Sequence, residues 1–117
     1  MQDFSPPPGY QPYTRLSPLL EPWAPFWIKE LSDRVLIGVL AREAHCNSRG
    51  LVHGGFFAAI ADQAMGHTTG GHVLGSGMAL RSLLTSSISI DYIASARIGQ
   101  WLVFDTFFAS GGAVKAI

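Results

Sequence analysis

Cysteine is nearly absent. Cys46 stands alone, so the chain holds no internal disulfide framework, and that usage fits a reducing compartment. Charge is scarce as well, at 14% of 117 residues. Eight basic side chains offset eight acidic ones and no Lys/Arg cluster occurs, which argues against a nucleic-acid or anionic-membrane surface. Long apolar runs are missing too. Gly, Ser, Thr and His interrupt the uncharged stretches, so no membrane span is expected. No cationic start followed by an apolar run marks a secretory leader. Internal repeats and heptads are also lacking. The remaining composition is 48% hydrophobic, which rules out a disordered chain and supplies one core for one domain. A cytoplasmic protein is the expectation, and small domains of this kind often gain stability by oligomerising.

Proline is confined to residues 6, 7, 8, 12, 18, 22 and 25. Proline lacks an N–H and fixes φ, so this region cannot be regular helix or central strand. Residues 1–21 therefore read as a proline-rich arm, mobile unless it docks, ahead of a folded domain over residues 22–117. The segment Trp23-Ala-Pro-Phe-Trp27-Ile reads as a hydrophobic flap on the core.

A regular pattern begins past Leu31. Val35 to Leu40 is apolar on both faces and predicts a strand. A turn follows at His45-Cys-Asn-Ser-Arg-Gly50. Phe56 to about Thr69 predicts a helix, with Phe56, Phe57, Ile60, Ala61 and Ala64 on one stripe. Its opposite face carries Gly55, Ala58, Ala59, Asp62 and Gly66, small rather than polar, which points to burial on more than one side. Gly70 to Gly77 reads as a flexible loop without a phosphate-loop signature. Leu83 to Ile93 predicts a second strand, with Leu84, Ile88, Ile90 and Tyr92 facing one way and Thr85, Ser87, Ser89 and Asp91 the other. Trp101 to Ala109 predicts a third, and Ala113 to Ile117 a short stub. Strand, helix and strand meander together predict an α+β domain, one helix against an antiparallel sheet.

Chemistry concentrates between Gly50 and Leu80, where Asp62 is the only formally charged side chain. A carboxylate there is costly to bury unless paired, hydrogen-bonded or protonated; otherwise it simply reaches solvent. Gly54 and Gly55 open the helix without side chains. Their N–H groups can meet an anion or a developing oxyanion at the positive end of the dipole, or the glycines merely let a corner pack closely. His45, Cys46, His53, His67 and His72 match no metal-ligand spacing, so no metal is expected. Cys46 in its turn has the character of a small hydrophobe rather than a nucleophile.

The combination Asn47-x-x-Gly50-x-x-His53-Gly54-Gly55, with Asp62 nine residues after the histidine, is more specific. On these residues the chain resembles the hotdog-fold acyl-CoA thioesterases of the phenylacetic-acid-degradation type. The likeness continues through Thr85-Ser-Ser-Ile-Ser-Ile-Asp-Tyr-Ile-Ala-Ser-Ala-Arg-Ile-Gly-Gln-Trp and spans roughly Phe26 to Val114. It implies a hotdog fold, a long central helix wrapped by an antiparallel sheet, here with most of the fourth and all of the fifth family strand absent. The resemblance further implies that Gly54 offers its N–H to a thioester carbonyl, that His53 binds or orients that carbonyl, and that Asn47 positions the attacking water or the substrate. Asp62 would come from the other subunit of a homodimer or homotetramer, as nucleophile or general base, with Thr85 supporting the acid or the water. Gly55 is a substrate-binding candidate, and Phe56, Phe57 and Met65 are candidates to line an acyl tunnel, with core packing as the alternative for all three and the favoured one for the two phenylalanines. Arg49, Arg81 and Arg97 could meet coenzyme A phosphates or be solvated charges. The implied reaction is hydrolysis of an acyl-CoA to free acid and coenzyme A, with no cofactor beyond the coenzyme A of the substrate. The competing reading is a non-catalytic acyl-CoA-binding module. A dehydratase is disfavoured, since its Asp-x-Asn-x-x-His-type signature does not occur.

Overall fold

A computed structural model describes residues 4–76, 84–108 and 114–116. Among the described residues the framework is five strands and one α-helix, β1 (Gln11–Tyr13), β2 (Phe26–Glu30), β3 (Val35–Leu40), α1 (Gly54–Ser76), β4 (Trp101–Phe108) and β5 (Val114–Ala116), with single 3-10 turns at Glu21–Trp23 and Glu43–His45. The strands form one sheet in the order β1-β2-β3-β4-β5, each pair antiparallel. One long helix packed on an antiparallel sheet is the hotdog arrangement that the resemblance implied.

Helix α1 packs against β3, β4 and β5. Phe56, Ile60, Ala64 and Thr68 recur every fourth residue and are all buried, so the expected stripe is the face turned to the sheet. Across from them stand Phe26 of β2, Ile37 and Val39 of β3 and Phe104 of β4, completing the core with Tyr13, Leu20, Ala41, Val52 and Ala96. The Thr68 hydroxyl accepts the Val35 N–H at 3.2 Å, which pins the helix to the start of β3.

The arm is docked. Gln11–Tyr13 adds to the edge of β2, where a proline in the strand leaves no ladder interrupted on a far side. Tyr13 and Leu20 are buried, and the Gln63 side-chain amide of α1 donates to the Tyr13 hydroxyl at 2.8 Å. On the outer face of the sheet Phe4 and Tyr10 pack on Trp101, with ring centroids 5.5 and 5.2 Å away. That indole lies over Gly38, where any Cβ would collide with it.

Three expectations need correction. The helix begins at Gly54 and runs through Ser76, so Gly70–Gly77 is not a loop up to that point. Packing of the helix on three strands outweighs the intrinsic cost of glycines within it. The Trp23–Ile28 flap is instead β2 from Phe26 onward, hydrogen-bonded between β1 and β3. Finally, residues 84–93 form no strand ladder, although their alternation suits one, because no strand partner lies beside them among the described residues.

Candidate active site

The turn before α1 is built on Asn47. Its Oδ1 accepts the N–H groups of Arg49 and Leu51, at 2.9 and 3.2 Å, and its backbone N–H donates to the Leu51 carbonyl. Gly50 closes this turn at φ +76°, a conformation that favours glycine. The Asn47 side-chain oxygen is thus committed to local structure, which leaves the amide nitrogen as the group able to serve a water or substrate.

His45 anchors the same region from beneath. Its Nδ1 accepts the Arg42 N–H at 3.2 Å and its Nε2 lies 2.9 Å from the Trp23 carbonyl. A carbonyl only accepts, so the proton is on Nε2 and the ring is neutral. Burial lowers its pKa below the ordinary histidine value; the Trp23 carbonyl opposes that shift and the Arg42 charge adds to it. The imidazole stacks on Phe56 at 4.3 Å, and the His45 carbonyl receives the His53 N–H at 2.8 Å. His45 therefore sets where His53, and hence the helix start, is placed.

At that start the exposed His53 ring turns back over the helix. Its Nδ1 accepts the Gly55 N–H at 2.8 Å, a side-chain cap on one of the orphan first-turn donors. The His53 carbonyl takes the Phe57 N–H at 3.2 Å. The Gly54 N–H has no hydrogen-bond partner among the described residues. Of the two glycine donors, Gly54 is therefore the one open to a ligand, while Gly55 is engaged by His53. Both glycines also make room. A Cβ at Gly55 would lie 3.1 Å from His53 Nδ1, and one at Gly54 would lie 3.2 Å from the phenol carbon of Tyr92.

Asp62 sits two turns further along α1 and is half-buried. Thr85 donates its hydroxyl to Asp62 Oδ1 at 2.6 Å, joining two candidates that are 23 residues apart in sequence. Seven residues on, the Tyr92 hydroxyl donates to the Gly54 carbonyl at 2.7 Å. Segment 84–93 thus runs along the helix and touches it at both chemically interesting points, Thr85 at Asp62 and Tyr92 at Gly54. Tyr92 was missed by sequence reasoning, which placed it on an apolar face; a phenol in such a face needs a polar partner, and that was the available signal.

The other candidates are more scattered. Phe56 is a core residue, 3% exposed and in contact with the rings of Trp23, Phe26 and His45, so it does not line an accessible acyl site. Met65 is half-buried on the helix. Arg97 is exposed beyond the segment, while Arg81 lies outside the described residues. No three His, Cys, Asp or Glu side chains converge as metal ligands among the described residues.

A hydrogen-bonded carboxylate and an open helix-start donor on one helix, set against an antiparallel sheet, define a hotdog protein with the groups for acyl chemistry. Comparison with known proteins agrees. The family model described as "Thioesterase superfamily" matches residues 49–113. A protein of Pseudomonas aeruginosa named "Putative esterase PA0474" is 34% identical over 101 residues, spanning 86% of this chain and 72% of that protein. No solved structure matches the chain at a significant level. The chain belongs to the thioesterase superfamily, and that membership together with the esterase relative supports a hydrolase.

Proposed function

We propose that the protein hydrolyses acyl-CoA thioesters to free acid and coenzyme A, in the cytoplasm, as a homodimer or homotetramer whose active sites draw on two copies of the chain. The observation that carries this reading is the Thr85-bound Asp62 carboxylate on the same helix as the open Gly54 N–H. The thioester carbonyl accepts from the Gly54 N–H, where the helix dipole favours the negative charge that develops on oxygen. One such donor is typically worth about 3 kcal/mol of barrier.

Eight residues separate Gly54 from Asp62, about 12 Å of helix at the usual rise. Reacting atoms must approach to about 3–3.5 Å, so a carbonyl held at one Gly54 is beyond the reach of the same chain's Asp62. A second copy supplies the acid. Asp62 takes a proton from a water that attacks the carbonyl carbon, with the Asn47 amide as a donor to hold that water. The tetrahedral intermediate collapses, the C–S bond breaks, and the leaving thiolate takes up a proton to become the free thiol of coenzyme A. Attack by Asp62 itself, through an anhydride that water then opens, gives the same products. Arg97 is free to meet a phosphate of the coenzyme, and no further cofactor enters.

Thiol release from short-chain, aromatic and long-chain acyl-CoAs tests the reading, with the Cys46 thiol subtracted as background. Asp62→Asn is expected to lower turnover by at least about a hundredfold. Near-normal turnover would remove Asp62 from the mechanism. No turnover from folded, self-associated wild-type protein would instead favour an acyl-CoA-binding module.

A further inference from the structure

We propose that Tyr92 is a positioning residue of this site, acting through the Gly54–Gly55 peptide to hold His53 in a single tautomer with its Nε2–H presented outward. The inference rests on the hydrolase reading above for its catalytic consequence, but not for its geometry.

Two hydrogen bonds make the connection. The Tyr92 hydroxyl donates to the Gly54 carbonyl at 2.7 Å, and the Gly55 N–H donates to His53 Nδ1 at 2.8 Å. That carbonyl and that N–H belong to the same peptide group. Donation to its oxygen polarises the amide and strengthens its N–H as a donor, the cooperative effect of hydrogen bonds in series. The helical bond of the Gly54 carbonyl is not displaced, because a carbonyl oxygen has two lone pairs. With Nδ1 occupied as an acceptor, the neutral ring carries its proton on Nε2. That nitrogen has no partner among the described residues and the side chain is exposed, so its N–H is available to a ligand carbonyl beside the open Gly54 N–H.

Glycine at both positions is what permits the contact. Side chains at residues 54 and 55 would press on Tyr92 and His53 respectively, at 3.2 and 3.1 Å. Phe57, one turn into the helix, stands 6.4 Å from the Tyr92 ring and 6.1 Å from Phe104, giving the phenol a fixed wall on its inner side. Tyr92 also closes the span that begins at Thr85, so the same segment that holds the Asp62 carboxylate holds the helix start.

Tyr92→Phe tests the relay, since it keeps the ring and removes the donor. The readouts are the Gly55 amide proton, the ring nitrogens of His53 by NMR (assigned with His53→Gln), and acyl-CoA turnover. The Gly55 amide is expected to move upfield and the His53 signals to shift towards a tautomer mixture. Turnover number should fall by about three- to tenfold, the equivalent of one neutral hydrogen bond, with KM little changed. Tyr92→Leu should reproduce the spectral change, so the result does not hang on one variant. Unchanged Gly55 and His53 signals would overturn the relay whatever the activity. Changed signals with unchanged turnover would overturn its positioning role. Changed signals in a protein that cleaves no thioester would support the relay and overturn the hydrolase reading.

Discussion

His45 and Gly38 each tie the domain together by a different means. His45 is 1% exposed, neutral, and bonded at both ring nitrogens. Because burial lowers its folded pKa, the unfolded chain takes up a proton first as the pH falls. The stabilisation is therefore fully present above the ordinary value of 6.5 and is lost as the pH falls through it towards the lower folded value. The unfolding midpoint, followed from about pH 7.5 to pH 5.5, should drop for the wild type and change less for His45→Gln. Equal slopes would show that the ring does not couple to folding. Gly38 matters through space alone, with the Trp101 indole filling the place of its side chain. Gly38→Ala should cost about 1–3 kcal/mol by overpacking, measured by urea denaturation, and Trp101 fluorescence should report the displaced ring. An unchanged midpoint would mean that the indole moves aside freely.

At the level of elements, what was legible in the sequence followed from periodicity. The Phe56-Ile60-Ala64 stripe, the apolar run at Val35–Leu40 and the strand from Trp101 were each expected and each present, because their patterns match the faces they bury. What failed depended on neighbours. Segment 84–93 alternates like a strand, yet a strand needs a ladder, and alternation says nothing about who stands alongside. β2 escaped notice because a proline-rich, aromatic stretch carries no period of its own and becomes a strand only between β1 and β3. The Asp62–Thr85 pair was suggested by resemblance alone; no local spacing could place a hydroxyl on a carboxylate 23 residues away. The docked arm gives a sharp contrast. Leu20 is 3% exposed and its neighbour Leu19 is 68% exposed. Leu20→Ala should cost about 2–5 kcal/mol. Leu19→Ala should stay within about 0.5 kcal/mol. Equal, small effects in thermal melts would mean that the arm contributes nothing to the fold.

For the whole molecule, the decisive quantity is the separation along α1 between its open start and its carboxylate. The segment that spans them also leaves Leu84, Ile88, Tyr92 and Ile93 exposed, with Ile98 beyond, apolar surface that a second copy would cover if the site is shared. If each site combines His53 and Gly54 of one chain with Asp62 of another, two inactive variants should repair each other. Asp62→Asn and His53→Ala, each nearly inactive alone, are to be unfolded together and refolded as a mixture. Random pairing makes half of the dimers mixed, and each mixed dimer has one intact site and one doubly altered site. Activity should return to about a quarter of the wild-type value. A site contained within one chain predicts no recovery, since every chain in the mixture lacks one of the two groups. Leu84→Asp with Ile93→Asp provides the companion experiment by sedimentation. Loss of self-association should abolish turnover while the Asp62–Thr85 bond within each chain survives. A monomeric variant with wild-type turnover would return the entire reaction to a single chain, and the spacing along α1 would then require a carbonyl bound somewhere other than Gly54.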